Sequence, residues 1–369
     1  MERADVAALG ERILADFVVR APGNPADSYA LRTTSGTSGE GPLMFVQQLN
    51  PLKLSRFADG SDVAVVVGSR MMRLMQAMLI RRNGAPQQRM MLLDGKDIAP
   101  DLTESLQQFA PKALFGFPSS VARMSEHISE SARQIVKEIV SVGEQVWSTT
   151  ERYLQEQYPN ARVVSFYGSA ETGPLSEDTC AFSPTTVYHP LPGVLIEIDN
   201  PDEQGIGDIL VTKVVYHDKK LSRYRIGDDG AMVKGPCRCG ATASFKMLGR
   251  RGYDFIRVQG ALLLKEEFDR VAGSLKEYIS DYRAEAFTTK THVGLRGGIT
   301  LSVYRKTGTL SPTELERVRT LFAERLFIST TLTLAAAVDK HYFIPLEVVA
   351  VAQPFPKGHK DVSLRLRQS

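Results

Sequence analysis

Short apolar runs alternate with amphipathic stretches over the first half of the chain. The run Val63–Val67 contains only apolar residues and predicts a buried strand. Four further runs predict strands at 89–94, 112–115, 138–142 and 162–166. Helical spacing of apolar residues lies between these runs, near 71–80, 101–109, 118–133 and 147–158. Continuous apolar strands that alternate with helices indicate a mostly parallel sheet covered on both faces.

Ligands of such sheets bind at loops outside the carboxyl ends of the strands. Two segments occupy such positions in the sequence. Gly143-Glu144 follows the strand predicted at 138–142, and residues 167–174 follow the strand predicted at 162–166. These two loops are therefore the first candidates for a ligand site.

The pattern changes after Pro174. Residues 185–250 are rich in glycine, proline and short alternating runs, which predicts a twisted antiparallel subdomain. From 254 onward a strand–helix–strand pattern continues to the C-terminus. We therefore predict an α/β protein with a large N-terminal domain, 1–253, and a small α+β C-terminal domain, 254–369. The large domain has mostly parallel sheets covered by helices, and it includes the β-rich subdomain.

Composition narrows the class of protein. The 369 residues are 43% hydrophobic and 24% charged, with a net charge of +3. These values are typical of a soluble globular protein and favour neither a nucleic-acid nor a membrane partner. Charges recur at every turn of the N-terminal stretch, which predicts an amphipathic helix and not a secretory signal. Three cysteines do not make a disulfide framework, so we expect a cytoplasmic protein.

Several segments carry groups that suit a nucleotide ligand. The glycine- and hydroxyl-rich loop 33–42 could wrap phosphate oxygens, although its composition also fits a flexible surface loop. Glu171 could hold a magnesium ion, and Asp228 ends a predicted strand where it could accept both hydroxyls of a ribose. Gly249-Arg250 and a basic loop at 354–360 complete the set. Each segment taken singly also fits an ordinary turn or a solvated charge.

The order of these segments resembles that of the adenylate-forming superfamily, most closely its phenylacetate-CoA ligase branch. Residues 34–39 are similar to that family's phosphate loop, and 167–171 resemble its aromatic-Gly-x-x-Glu motif. Residues 224–228, Tyr-Arg-Ile-Gly-Asp, resemble its Tyr-Arg-Thr-Gly-Asp, and 249–260 resemble its hinge segment. The segments 117–120 and 141–145 also occupy the places of its acyl-pocket and adenine-side loops.

The resemblance implies a role for each matching residue. Glu171 would bind magnesium and take part in catalysis, and the C-terminal domain would swing about Asp254 to bring the catalytic Lys360 to the α-phosphate. Lys357 is the competing candidate for this lysine, because the sequence around it departs from the family pattern. The residues implied to bind the nucleotide are Thr34, Ser35, Gly36, Thr37, Ser38, Gly39, Gly143, Glu144, Tyr167, Gly168, Asp228 and Arg250. Those implied to contact the acid are Phe117, Gly168, Ser169 and Gly173.

The cysteines match a further feature of the branch, whose members can carry a structural zinc ion. The order of Cys180, His189, Cys237 and Cys239 is similar to that of its zinc ligands. Three thiolates and one imidazole suit tetrahedral zinc with no open position. The alternative is a set of buried thiols beside an ordinary strand histidine.

The resemblance thus implies conversion of an aromatic carboxylic acid and MgATP to an acyl-adenylate and pyrophosphate. Coenzyme A, another acceptor or a reductase would take the acyl group, and a homodimer is the expected assembly. With only about 30 residues before the loop, the chain looks like the short enzymes of phenazine antibiotic pathways, so a phenazine carboxylate is one expected substrate. Glu40 stands where the family has a lysine. This departure leaves a catalytically weak or inactive protein that binds nucleotide or aromatic acid as the alternative.

Overall fold

The computed structural model divides the chain into two compact units, with the boundary between 251 and 252. Each unit has its own hydrophobic core and is described by itself. The structure describes residues 5–6, 8–13, 29–33, 44–48, 63–67, 90–94, 102–169, 171–176, 179–216, 219–250, 255–329, 331–355 and 364–367.

The first unit contains the predicted parallel sheet. An antiparallel pair precedes it, β1 (Tyr29–Thr33) with β2 (Met44–Gln48). The sheet has the order β4-β3-β5-β6-β7, and every pairing in it is parallel. Its strands are β3 (Val63–Val67), β4 (Met90–Asp94), β5 (Ala113–Gly116), β6 (Glu138–Ser141) and β7 (Arg162–Ser165). The prediction of this sheet is confirmed, and the carboxyl ends of β5, β6 and β7 lie side by side.

Four helices accompany these strands in the described part of the first unit. Residues 5–6 and 8–13 are also helical, whereas the helix predicted near 71–80 lies outside the described residues. The four helices are α1 (Leu102–Phe109), α2 (Pro118–Met124), α3 (Glu130–Ile135) and α4 (Ser148–Gln157).

The prediction of one helix over 118–133 is wrong, because α2 and α3 are separate. The Ser129 hydroxyl caps α3 by accepting the Ala132 N–H at 3.3 Å, so a new helix begins there. The Arg133 guanidinium donates to the carbonyl oxygens of Ser125 and Ile128, each at 2.8 Å, within the intervening turn. These side-chain bonds satisfy backbone groups that a continuous helix would have paired.

An antiparallel sheet forms the β-rich part of the first unit. A short hairpin precedes it, in which the two-residue strands β8 (Gly168–Ser169) and β9 (Gly173–Pro174) pair. The sheet has the order β10-β14-β13-β12-β11, which confirms the predicted antiparallel character of 185–250. Its strands are β10 (Val187–Tyr188), β11 (Val194–Asp199), β12 (Gly207–Tyr216), β13 (Lys219–Val233) and β14 (Ser244–Arg250).

The second unit is an α+β layer. Its sheet has the order β19-β18-β17-β20, with a long antiparallel hairpin in the centre and a parallel strand on each side. Its elements are β15 (Phe255–Val258), β16 (Ala261–Leu264), α5 (Lys265–Gly273), β17 (Asp281–Thr291), β18 (Gly294–Tyr304), α6 (Pro312–Arg325), α7 (Leu334–Asp339), β19 (Glu347–Ala350) and β20 (Leu364–Leu366). No helix in the described part of the chain is long and apolar enough to cross a bilayer.

The core of the second unit centres on the aromatic side chains of α5 and α6. The rings of Phe268 and Phe322 are both fully buried, and their centroids are 5.8 Å apart. Helix α6 begins with a capping box in which Ser311 and Glu314 exchange hydrogen bonds between side chain and backbone. The apolar face of α6 is thus fixed at its start and buried along its length.

Phe322→Ala is expected to destabilise the second unit by about 3–5 kcal/mol, because it removes a fully buried ring and leaves a cavity. Denaturant unfolding followed by far-ultraviolet circular dichroism measures this change. Phe327→Ala is the matched control, since 42% of Phe327 is exposed. Equal losses for the two variants would contradict the central place of α6 in the core.

Candidate functional site

Three loops leave the carboxyl edge of the parallel sheet next to one another. Gly116 pairs in register with Ser141, and Ser141 pairs with Ser165, so β5, β6 and β7 end at one level. The loops that follow begin with Phe117, Val142 and Phe166. The loops that carry the predicted site residues come from distant parts of the sequence, and they begin at the same edge of the sheet.

The first two loops are in direct contact. Gly143 has a φ of +73°, and a Cβ atom there would lie 2.3 Å from Cε1 of Phe117. Only a residue without a side chain allows the Phe117 ring to lie against this backbone. Glu144 Oε2 accepts the backbone N–H of Ser119 at 3.4 Å, in the first turn of α2, where N–H groups lack partners within the helix. The predicted acyl-pocket and adenine-side loops thus support each other.

The third loop folds into the β8–β9 hairpin, which has Glu171 in its turn. The Ser169 N–H donates to Thr172 Oγ1 and the Thr172 N–H donates to Ser169 Oγ, both at 3.2 Å. A Cβ atom on Gly168 would lie 2.5 Å from the carbonyl oxygen of Gly173, so the two strands approach closely only because residue 168 is glycine. Gly173 has a φ of +66°, which glycine adopts without strain. The half-buried Glu171 side chain is therefore presented from a tight turn.

Tyr167 connects this loop to the antiparallel sheet. Its backbone N–H donates to Ser176 Oγ at 2.7 Å. Its ring lies 5.6 Å from that of Tyr188 and 5.5 Å from that of Phe245, measured between centroids. The phenol hydroxyl donates to a carboxylate oxygen of Asp228. A buried tyrosine needs such a partner for its hydroxyl, so the aromatic packing and the hydrogen bond favour the same position of the ring.

A second tyrosine binds the other carboxylate. The Tyr224 hydroxyl donates to Glu171 Oε1 at 3.3 Å, and Tyr224 lies on β13 four residues before Asp228. Burial raises the pKa of the nearby Tyr188 to about 12. A hydrogen bond with Ser165 lowers this pKa in part, and the negative charge of Asp228 raises it further. The two half-buried carboxylates, Glu171 and Asp228, are thus each held by a tyrosine hydroxyl. Oxygen ligands of this kind suit a hard cation and a pair of sugar hydroxyls.

Lys213 belongs to the same region, although no feature of the sequence pointed to it. Its ammonium group donates to the carbonyl oxygens of Thr172 at 3.0 Å and of Pro174 at 2.6 Å. Burial lowers the pKa of Lys213 to about 8, because a charged amine is less stable away from water. Its position on β12, 39 residues after Pro174, explains why sequence spacing alone gave no signal.

A second cluster lies near the start of the antiparallel sheet. The ligand atoms of Cys180, His189, Cys237 and Cys239 all lie within 4.8 Å of one another. His189 Nε2 is 3.4 Å from Cys180 Sγ and 3.3 Å from Cys239 Sγ, and the Sγ atoms of Cys180 and Cys237 are 3.6 Å apart. Tetrahedral zinc with ordinary bond lengths requires separations of about 3.5–3.8 Å between ligand atoms. The three separations above are close to these values and all four ligand atoms lie within 4.8 Å of one another, so the cluster could hold such an ion.

Two serines complete this cluster, and the sequence did not single them out. Ser244 Oγ is 3.0 Å from His189 Nδ1, which directs the Nε2 atom towards the thiols. Burial opposes ionisation of Cys180, but hydrogen bonds with Ser183, the Phe182 backbone and the other cysteines lower the pKa of its thiol to about 7. Metal ligation requires the thiolate, so this environment favours the ionic form that a metal would bind.

Several predicted site residues fall outside the described part of the chain. They are the phosphate loop 34–39, Glu40, the hinge residue Asp254 and both candidate lysines, Lys357 and Lys360. Arg250 is described only by its backbone, which pairs with Asp228 in the β13–β14 register. The structure thus brings Phe117 against Gly143, with Glu144 bonded to the first turn of α2. Asp228 is bonded to Tyr167, and Glu171 is bonded to Tyr224 on the same strand as Asp228.

Comparison with known proteins identifies the fold. No protein-family model and no curated protein matches the chain. Among solved structures, it is similar to 2-hydroxyisobutyryl-CoA ligase in complex with 2-HIB-AMP and CoA, with 16% identity over 99% of this chain and 79% of that one, and a TM-score of 0.57. It is also similar to the amide bond synthetase McbA from Marinactinospora thermotolerans, with 17% identity over 93% of this chain and 69% of that one, and a TM-score of 0.52.

A malonyl-CoA ligase in a complex with methylmalonyl-CoA and AMP has the same fold. It is 17% identical over 89% of this chain and 71% of that one, with a TM-score of 0.51. This protein therefore shares its fold with these two acyl-CoA ligases and with the amide bond synthetase. At these identities the likeness defines the fold, and the function has to be argued from the site.

Gly143→Ala is expected to destabilise the first unit more than Gly193→Ala, by about 1–3 kcal/mol, because only the former drives a methyl group into a neighbouring ring. Both glycines have a positive φ, +73° and +78°, but a Cβ atom at Gly193 would meet nothing within 4 Å. The pair thus separates the contact with Phe117 from backbone strain. Chemical denaturation of both variants measures the difference, and equal stabilities would contradict the tight contact.

Proposed function

We propose that this protein uses ATP to convert a carboxylic acid into an acyl-adenylate, with release of pyrophosphate. The observation that carries the proposal is the pair of tyrosine–carboxylate bonds, from Tyr167 to Asp228 and from Tyr224 to Glu171. They unite two segments that the resemblance assigns to one nucleotide. The fold shared with acyl-CoA ligases supports the same chemistry.

The proposed reaction begins with the acid and ATP bound at the carboxyl edge of the parallel sheet. A carboxylate oxygen of the acid attacks the α-phosphorus, and the bond from this phosphorus to the bridging oxygen breaks as pyrophosphate leaves with the electron pair. Glu171 would hold a magnesium ion, which would neutralise charge on the phosphates. Asp228 would accept the ribose hydroxyls. Lys360, or its competitor Lys357, would stabilise the negative charge that develops in the transition state.

The proposed substrate is an aromatic acid, and a phenazine carboxylate is the narrower candidate. Support comes from the half-buried Phe117 ring against Gly143 and from the small residues Gly168, Ser169 and Gly173 on the adjacent hairpin. These positions offer an aromatic wall and little side-chain bulk, which suits a flat ring.

The proposed second step transfers the acyl group to coenzyme A or hands the adenylate to another acceptor, such as an amine or a reductase. Similar structures include both a CoA ligase bound to CoA and an amide bond synthetase, so the fold supports either route. A homodimer in the cytoplasm is the proposed state, and three cysteines without a disulfide suit that reducing compartment.

Pyrophosphate exchange into ATP tests the proposal directly. We expect exchange that depends on an aromatic acid, and an assay of a panel of such acids identifies the preferred ring system. Glu171→Gln is expected to lower the exchange rate by about 10²–10³-fold, because it removes a charge aimed at the metal and phosphates. Glu203→Gln is the matched control, since Glu203 is exposed on the turn between β11 and β12.

The same assay distinguishes an enzyme from a binding protein. If calorimetry shows binding of ATP and acid but no exchange occurs, the protein is the catalytically weak or inactive alternative. Glu40 in the phosphate loop favours this alternative. Absence of both binding and exchange with every acid would contradict the proposal as a whole. Exchange that is acid-dependent in the wild type and unchanged in Glu171→Gln would remove Glu171 from its role.

We also propose that the cluster of Cys180, His189, Cys237 and Cys239 holds a structural zinc ion. The ligand-to-ligand distances and the orientation of His189 by Ser244 support this assignment. With four protein ligands and no open position, the ion would serve folding and would not take part in the reaction. It would connect the segment around β10, with Cys180 before the strand and His189 after it, to the loop between β13 and β14.

Protein purified without chelators is expected to contain about one zinc per chain, as tetrahedral four-ligand sites usually do. Cys237→Ser is expected to lose the metal and lower the thermal stability of the first unit. Thr242→Ala is the control, because Thr242 is exposed in the same loop between β13 and β14 and is not one of the ligands. Metal analysis by plasma mass spectrometry measures both, and a wild-type protein without zinc would contradict the assignment.

A further inference from the structure

Lys213 is a charged side chain that reaches from the antiparallel sheet to the hairpin that carries Glu171. It lies on β12 between Val211 and Val215, whose side chains belong to the core of this sheet. The pairing of β12 with β11 is regular from Asp208 to Lys213, so Lys213 lies on the same face of the strand as Val211. Its ammonium group ends at the carbonyl oxygens of Thr172 and Pro174.

The two carbonyl oxygens that Lys213 binds both belong to the hairpin that carries Glu171. Thr172 directly follows Glu171 in the turn, and Pro174 ends the second strand of the hairpin. The hairpin has only two paired positions, Gly168 with Pro174 and Ser169 with Gly173. A ladder this short is marginally stable by itself. Contacts outside the ladder must therefore hold the Glu171 turn in place.

Burying the Lys213 ammonium group in this contact also costs free energy. A lysine that is half-buried loses hydration, and two carbonyl dipoles replace only part of it. The lowered pKa described above reflects this loss. An apolar residue at position 213 would continue the core of Val211 without that cost. The chain nevertheless places an ammonium group where it binds the backbone on both sides of Gly173.

We propose that Lys213 is a positioning residue that fixes the Glu171 turn, so that the Glu171 carboxylate keeps its direction towards the magnesium ion of the nucleotide. This inference rests on the proposed function. Lys213 bonds to the backbone on the C-terminal side of Glu171, and the Tyr224 hydroxyl bonds to the carboxylate itself. Together they restrain both the turn and the side chain.

Two measurements on Lys213→Met test the inference, because methionine keeps the length of the side chain and removes its donors. Hydrogen–deuterium exchange of the peptide 166–176 is expected to accelerate, whereas exchange in β6 is unchanged. Calorimetry is expected to show that magnesium strengthens ATP binding about tenfold less than in the wild type, the scale on which groups that orient metal ligands act. ATP affinity measured in chelator is expected to stay the same.

Lys213→Arg, which retains donors for both carbonyl oxygens, is expected to restore most of the magnesium effect. Lys220→Met is the matched control, since Lys220 is exposed on β13 beside Val214. Lys213→Gln, whose amide is too short to reach both carbonyl oxygens, serves as the second variant if the methionine variant does not fold, and the same changes are expected for it.

Each unfavourable result identifies what has failed. Unchanged exchange of 166–176 would overturn the inference that Lys213 fixes the hairpin. Faster exchange with equal losses of ATP affinity in magnesium and in chelator would leave Lys213 a merely structural residue and also overturn it. A wild-type protein that binds no ATP would contradict the proposed function, while the exchange experiment would still decide whether Lys213 holds the turn.

Discussion

The first unit depends on the hydrogen bond between the buried hydroxyl of Tyr167 and the carboxylate of Asp228. A phenol buried without a partner costs free energy, so the loop after β7 is stable only where β13 offers an acceptor. The rings of Tyr188 and Phe245 pack against Tyr167 and fix its orientation. One side chain therefore connects the loop at the end of the parallel sheet to the antiparallel sheet.

Further contacts restrain the hairpin that follows Tyr167. Lys213 binds the hairpin backbone from β12, and Tyr224 binds Glu171 from β13. The cysteine–histidine cluster joins the segment around β10 to the loop after β13 at a separate point. Such preorganisation suits the proposed reaction, in which negative charge is carried by the phosphate oxygens, since groups already in place need no reorganisation. The short hairpin could not supply it alone.

Local pattern predicted the regular elements well and failed where side chains competed with the backbone. Uninterrupted apolar runs such as Val63–Val67 mark buried parallel strands, because both faces of such a sheet are covered. The stretch 118–133 kept helical spacing throughout, yet Ser129 starts a new helix and Arg133 satisfies carbonyl groups in the break. Capping by a single hydroxyl is worth about 1 kcal/mol, enough to divide a helix whose pattern is otherwise continuous.

The order of motifs along the sequence resembles that of a known family, and this resemblance predicted both the class of chemistry and the candidate metal site. Each motif taken singly is local, because the backbone of a loop and the type of a ligand are set by a few neighbouring residues. Only the tertiary structure decided that Phe117 lies on Gly143, that each of Glu171 and Asp228 meets a tyrosine, and that Lys213 reaches the hairpin. Such contacts join residues dozens of positions apart, and their geometry follows from strand register and sheet packing, which no local pattern specifies.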